Sequence, residues 1–154
     1  MTGFPKVPYR RGKRPQPSAA LKAAVLSRDG FRCVIAGPNC TGVATDLDHR
    51  AGRGHGGSEV LNQPECAIAA CRSCNSGKED ADGTYRRDLI ARGIRVVKAA
   101  TNEATAERCK QLPVEYADGW WLLVGYKRFP LLKYEAYAMF AEAGFPRPGL
   151  GVIF

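Results

Sequence analysis

Four of the six cysteines in this 154-residue chain fall into two groups, and no other feature constrains the fold as much. Cys71 and Cys74 have the two-residue spacing of a zinc knuckle at a helix start. Cys33 and Cys40 bracket Val34-Ile35-Ala36-Gly37-Pro38-Asn39, whose Gly-Pro-Asn marks a turn that can bring the two sulfurs together. The basic N-terminus has no apolar segment behind it, so no export signal is expected, and zinc ligands or free thiols are favoured over disulfides. Only two histidines exist, His49 and His55, so a zinc site must be mostly sulfur. Cys33, Cys40, Cys71 and Cys74 are the expected ligands. The six-residue gap after Cys33 keeps Cys66 open as a substitute for Cys40, although its apolar neighbours suit a buried free thiol. The alternative for the whole set is buried, reduced core cysteines.

Charge is unevenly placed within the net +8. Residues 1–53 hold ten Lys/Arg and three Asp/Glu, and residues 54–154 hold thirteen and twelve. A basic N-terminal third points to a polyanion, most simply nucleic acid, with a solubilising tail as the plainer reading. No apolar run is long enough to cross a bilayer, so no membrane partner is expected.

Residues 1–17 carry Lys6, Arg10, Arg11, Lys13 and Arg14 among prolines and glycines and read as a basic flexible arm. Ser18 is a candidate N-cap for a helix from Ala19 to about Arg28, stopped by Asp29-Gly30. An apolar strand, Val43 to Leu47, ends in Asp48-His49. The loop Arg50-Ala51-Gly52-Arg53-Gly54-His55-Gly56-Gly57-Ser58 follows, then Asn62, then a second short strand from Cys66 to Ala70. The second cysteine pair opens a helix with Asn75 in its first turns. That helix continues or restarts, with a break near Gly83, to about Arg92, and Gly93 ends it.

Beyond that point the pattern gives a candidate strand, Ile94 to Val97. A short helix capped by Thr101 or Asn102 runs through Lys110, and a hairpin spans Val114 to Tyr126. A last helix runs from Leu131 to Ala143, before a Pro/Gly-rich tail. The aromatics of this part, among them Trp120, Trp121, Tyr126, Phe129 and Tyr134, read either as a small core or as a DNA-contacting surface among Lys127, Arg128 and Lys133.

The order Asp48-His49, Gly56-Gly57-Ser58, Asn62, apolar strand, Cys71-x₂-Cys74-Asn75-x₂-Lys78 resembles the HNH nuclease family, over roughly residues 27–80. Arg28-Asp29-Gly30-Phe31-Arg32-Cys33 is similar to the lead-in that family uses before its first zinc cysteine. The resemblance implies an α+β fold: a ββα-metal core over residues 18–92, stapled by zinc, with a small α+β appendage over 93–154. It implies a metal-dependent endonuclease acting on DNA, of phage or mobile-element origin, in the cytoplasm (the host's, if phage-encoded). Junction-resolving nucleases share the Cys-Asn helix start, but the Gly-Gly-Ser … Asn62 segment fits HNH better.

Carried over by position, Asp48 is a ligand of the catalytic metal and His49 activates water. Asn62 orients the histidine or ties down the loop. Asn75 stands where the family usually has a histidine, and is the second metal ligand through its amide oxygen. An all-oxygen set suits Mg²⁺ or Mn²⁺. Arg10, Arg11, Lys13, Arg14, Arg50, Arg53 and Lys78 are the expected nucleic-acid contacts. His55 is expected on the surface with no catalytic role. The competing function is a non-catalytic, zinc-containing module that only binds nucleic acid.

Overall fold

The computed structural model describes residues 12–54, 57–97 and 100–145. Helix α1 (Ala19–Arg28) starts as its sequence dictates: the Ser18 hydroxyl accepts from the Leu21 N–H at 3.0 Å. Its apolar face, Leu21 and Val25, packs on Leu47 and Ala67. Asp29 closes the helix and is itself buried. Its carboxylate accepts from Arg28, from the Tyr116 hydroxyl at 2.8 Å and from the Ala69 N–H at 2.9 Å. One side chain thus ties α1 to two strands that follow it.

Strand β1 (Asp46–His49) pairs antiparallel with β2 (Ala67–Ala70), Asp48 opposite Ile68 and His49 opposite Ala67. The expected strand Val43–Leu47 is therefore displaced. Val43 makes only an isolated bridge with Arg32, because the segment from Phe31 is still folding back on itself there, and pairing with β2 begins at Asp46. A single 3-10 turn, Pro64–Cys66, leads into β2, so Cys66 precedes the strand and does not start it. Every residue of β2 is buried, which fits its Ala-Ile-Ala-Ala sequence. Cys71 then caps α2 (Arg72–Glu79), and α3 (Gly83–Ala91) follows after the break expected near Gly83.

Helix α4 (Glu103–Gln111) is capped by Asn102. A second antiparallel sheet follows in the order β3 (Val114–Tyr116), β4 (Gly119–Val124), β5 (Lys127–Leu131), and α5 (Lys133–Glu142) ends the described elements. Two readings of this half are corrected. Ile94–Val97 is not a strand: the Ile94 and Arg95 N–H groups both donate to the Leu89 carbonyl, and Val96 N–H donates to Arg50, so no partner strand is needed. The hairpin is three-stranded, because Leu131 ends β5 and α5 starts two residues later.

The architecture is mixed α+β with two small sheets. One buried cluster runs from Val34, Ile35 and Ile68 through Leu89 and Ile94 to Val114, Tyr116 and Leu123. The C-terminal sheet therefore shares a core with the N-terminal unit and is more than an appendage. Of the aromatics, Tyr116, Trp120 and Phe140 are core, and Tyr126, Phe129 and Tyr134 are exposed. Among the described residues no helix is long and apolar enough to cross a membrane.

Candidate metal centre and candidate nucleic-acid interface

The turn after Cys33 and the start of α2 meet. The sulfurs of Cys33, Cys40, Cys71 and Cys74 all lie within 4.8 Å of one another. A tetrahedral metal with sulfur ligands at about 2.3 Å needs sulfurs a little under 4 Å apart, so small adjustments would close this set around an ion. Its surroundings also fit. Gly37 N–H donates to the Cys74 sulfur and Gly42 N–H to the Cys40 sulfur, each at 3.3 Å, an arrangement that suits bound thiolates. A Cβ at Gly37 would strike the Tyr85 hydroxyl, so a larger residue there would make that ring move. Burial opposes ionisation of Cys71, but the Ser73 hydroxyl and the Thr41 and Cys74 N–H groups draw its thiol down to about 5. Burial raises Cys33 and Cys74. Without a cation such a cluster keeps most of its protons, and a metal ion replaces them. Cys66 lies elsewhere, beside Cys109, so Cys40 and not Cys66 completes the cluster.

Asp48 and His49 leave β1 for different partners. His49 Nε2 is 2.9 Å from Asn62 Oδ1, the pairing expected of that asparagine. Burial pulls the His49 pKa down to about 4, against the Asn62 bond, so the imidazole is neutral at physiological pH. The other amide atom, Asn62 Nδ2, is buried and has no partner among the described residues. Asp48 is 3% exposed and faces α2, where Lys78 Nζ reaches its Oδ2 at 2.5 Å and the His49 carbonyl at 2.6 Å. Burial pushes the Asp48 carboxyl up, and the Lys78 ammonium opposes it. Lys78 takes Oδ2 of the carboxylate, and Oδ1 is the oxygen it does not use. Asn75 lies three residues before Lys78 on α2, hence on the same helix face, and is partly exposed.

Two expected nucleic-acid contacts are corrected. Lys78 is 2% exposed and is spent on Asp48 and the strand carbonyl. Arg50 is 0% exposed: its guanidinium donates to the carbonyls of Gly93, Glu65, Cys109 and Leu112 at 2.7–2.9 Å. Gly93 can offer its carbonyl there because it has φ +69, and a Cβ on it would collide with the Pro113 carbonyl. Arg50 is thus a scaffold residue joining three segments.

Of the remaining basic candidates, Arg53 lies close enough to His49 to act on its charge. Lys13 and Arg14 are exposed. Arg53 donates to the Pro15 carbonyl at 3.0 Å, and Gly57 lies against Pro15 and Arg14. Arg14 and Pro15 therefore lie against the glycine-rich loop, and the arm is docked at that point. Arg10, Arg11 and His55 lie outside the described residues, as does the tail beyond Phe145. Sequence reasoning misses the docking of the arm and the pairing of Lys78 with Asp48. Neither has a local signal: the partners lie 38 and 30 residues apart in the chain.

No family model and no solved structure matches this chain. It is similar to the Gene 4 proteins of Mycobacterium phage D29 and Mycobacterium phage L5, 40% identical over 70 residues in each case. That is 44% of this chain and 64% of the length of either phage protein, and their names record no activity.

Proposed function

We propose that the chain is a metal-dependent HNH endonuclease that hydrolyses DNA phosphodiester bonds, with Cys33, Cys40, Cys71 and Cys74 holding a structural Zn²⁺. The observation that carries the reading is the His49–Asn62 contact at 2.9 Å on a strand whose neighbouring Asp48 faces the helix bearing Asn75. A neutral imidazole there can take a proton from water. The resulting hydroxide attacks phosphorus, the new P–O bond forms as the bond to the 3′ oxygen breaks, and the departing 3′ oxygen takes a proton from solvent water, leaving 5′-phosphate and 3′-hydroxyl ends. Asp48 Oδ1 and the Asn75 amide oxygen would hold Mg²⁺ or Mn²⁺, which supplies positive charge to the developing phosphorane and leaving oxygen. Arg53 lies near enough to His49 to act on its charge, and Arg53 with the exposed Lys13 and Arg14 is suited to the phosphate backbone. The phage relatives agree with a phage origin, and cytoplasmic action goes with it.

One observation favours the second reading, a zinc module that only binds nucleic acid: Asp48 is already neutralised by Lys78. Cleavage across a metal panel separates the two. The nuclease reading requires activity with Mg²⁺ and Mn²⁺ above Ni²⁺ and Zn²⁺. It also requires loss of that activity in Asn75→Ala, and partial recovery with wider metal tolerance in Asn75→His. An Asn75→Ala protein that cuts normally in Mg²⁺ removes Asn75 from the site.

A further inference from the structure

The second sheet has one face only half covered. In the β4–β5 register, Trp120 opposes Leu131, Leu122 opposes Phe129 and Val124 opposes Lys127, so these six share a face. α5 covers the Trp120 end, with Tyr137 and Phe140 edge-on to the indole at 5.9 Å each. The other end is bare: Val124 is 50% and Phe129 48% exposed, and Tyr126 at the hairpin tip and Tyr134 on α5 are more exposed still. The opposite face is already used, because Arg128 lies over Tyr116 and Trp121 at 4.5 and 4.3 Å. Residues 124–134 hold three cations and no acid. Of these Lys127 and Lys133 flank the bare face, Arg128 belongs to the opposite one, and Glu65 reaches the hairpin by accepting from the Gly125 N–H at 2.7 Å. Glu135, the next acid, is held by the Leu132 N–H at 2.7 Å.

We infer that the bare half of the β4–β5 face, with Tyr126 at its tip, is a docking surface for unpaired bases of a single-stranded nucleic acid. Exposed aromatic rings among cations offer what such a strand presents: flat π-faces at intervals along a line of negative charge. A second copy of this chain is a poor occupant, since pairing the face with itself would bring Lys127 and Lys133 against their like. An apolar protein partner would leave the lysines unanswered. This docking surface goes beyond the cleavage reading and concerns binding alone.

The test uses the full chain carrying His49→Ala, so that no cleavage intervenes, and a fluorescein-labelled oligothymidylate followed by anisotropy beside a labelled duplex. Stacking contributes about 1–3 kcal/mol per base. Tyr126→Ala/Phe129→Ala should therefore weaken oligothymidylate binding by roughly 30-fold or more, with little effect on the duplex. Tyr126→Phe/Phe129→Tyr keeps both rings and should retain binding. Lys127→Gln/Lys133→Gln should make the log–log salt slope shallower by about 0.7 for each phosphate that no longer meets a cation. Unchanged oligothymidylate binding in the alanine pair overturns the inference. So does an equal loss on duplex, or a change of sedimentation from dimer to monomer with binding intact, which would make the face a protein interface. Because the readout is binding by a variant that lacks His49, failure of the nuclease reading would leave this result standing.

Discussion

Replacing Arg50 by methionine tests whether this arginine holds the fold or touches DNA. Methionine keeps much of the apolar stem but removes the donors serving four carbonyls, from Glu65, Gly93, Cys109 and Leu112, at a site with 0% exposure. A buried acceptor left without a donor costs about 1–3 kcal/mol. Taking the low end for each gives about 4 kcal/mol. For a chain of this size each kcal/mol moves Tm by about 2–4 °C, so Arg50→Met should melt about 8–16 °C below wild type. Arg50→Lys should fall nearly as far, because one ammonium cannot span four carbonyls from three segments. Thermal unfolding followed by circular dichroism reads both. Melting of both variants within about 2 °C of wild type would refute the scaffold role. A duplex-binding salt slope that falls by about 0.9 in Arg50→Met would refute it as well, since that is what freeing one phosphate of its cation produces.

Elemental analysis should find one zinc per chain, retained in Cys66→Ser and lost in Cys40→Ser; zinc that follows Cys66 would move the fourth ligand. Chelation of that zinc should unfold the β1–β2–α2 unit, read by hydrogen exchange, since metal binding in such a site is folding free energy. Lys78→Met leaves the Asp48 carboxylate buried without its cation and should cost about 3–5 kcal/mol in urea unfolding, while adding Asp48→Asn should recover most of it; an unshifted single variant contradicts the pair. Arg14→Gln/Arg53→Gln should make the duplex salt slope shallower by up to about 1.8 without changing the metal requirement, and an unchanged slope would leave the docked arm without a DNA role.

What is legible in the sequence is local. Ser18 and Asp29-Gly30 fix both ends of α1 because a cap needs only its own turn. The Cys71-x₂-Cys74 spacing, the Gly-Pro-Asn turn and the order His49, Asn62 likewise announce residues that the fold brings near one another. What fails depends on distant partners. Arg50 and Lys78 look like surface charges, since nothing beside Arg50 reveals carbonyls 15 to 62 residues away, and nothing beside Lys78 reveals an aspartate 30 residues back. β5 escapes because Pro130 argues against a strand, although an edge strand tolerates a residue with no N–H to give. Ile94–Val97 has a strand's composition, but the Leu89 and Arg50 carbonyls take its N–H groups first.

The central claim is that His49, held by Asn62, activates the water that cuts DNA. Supercoiled plasmid incubated with Mg²⁺ and either wild type or His49→Ala, purified identically and matched in zinc content and melting temperature, tests it most directly. Wild type should give nicked or linear product with 5′-phosphate ends. His49→Ala should give at least a hundred-fold less, as befits removal of a general base worth about 10²–10⁴ in rate. Equal cleavage by both proteins, or none by wild type with Mg²⁺ or Mn²⁺, would contradict the claim.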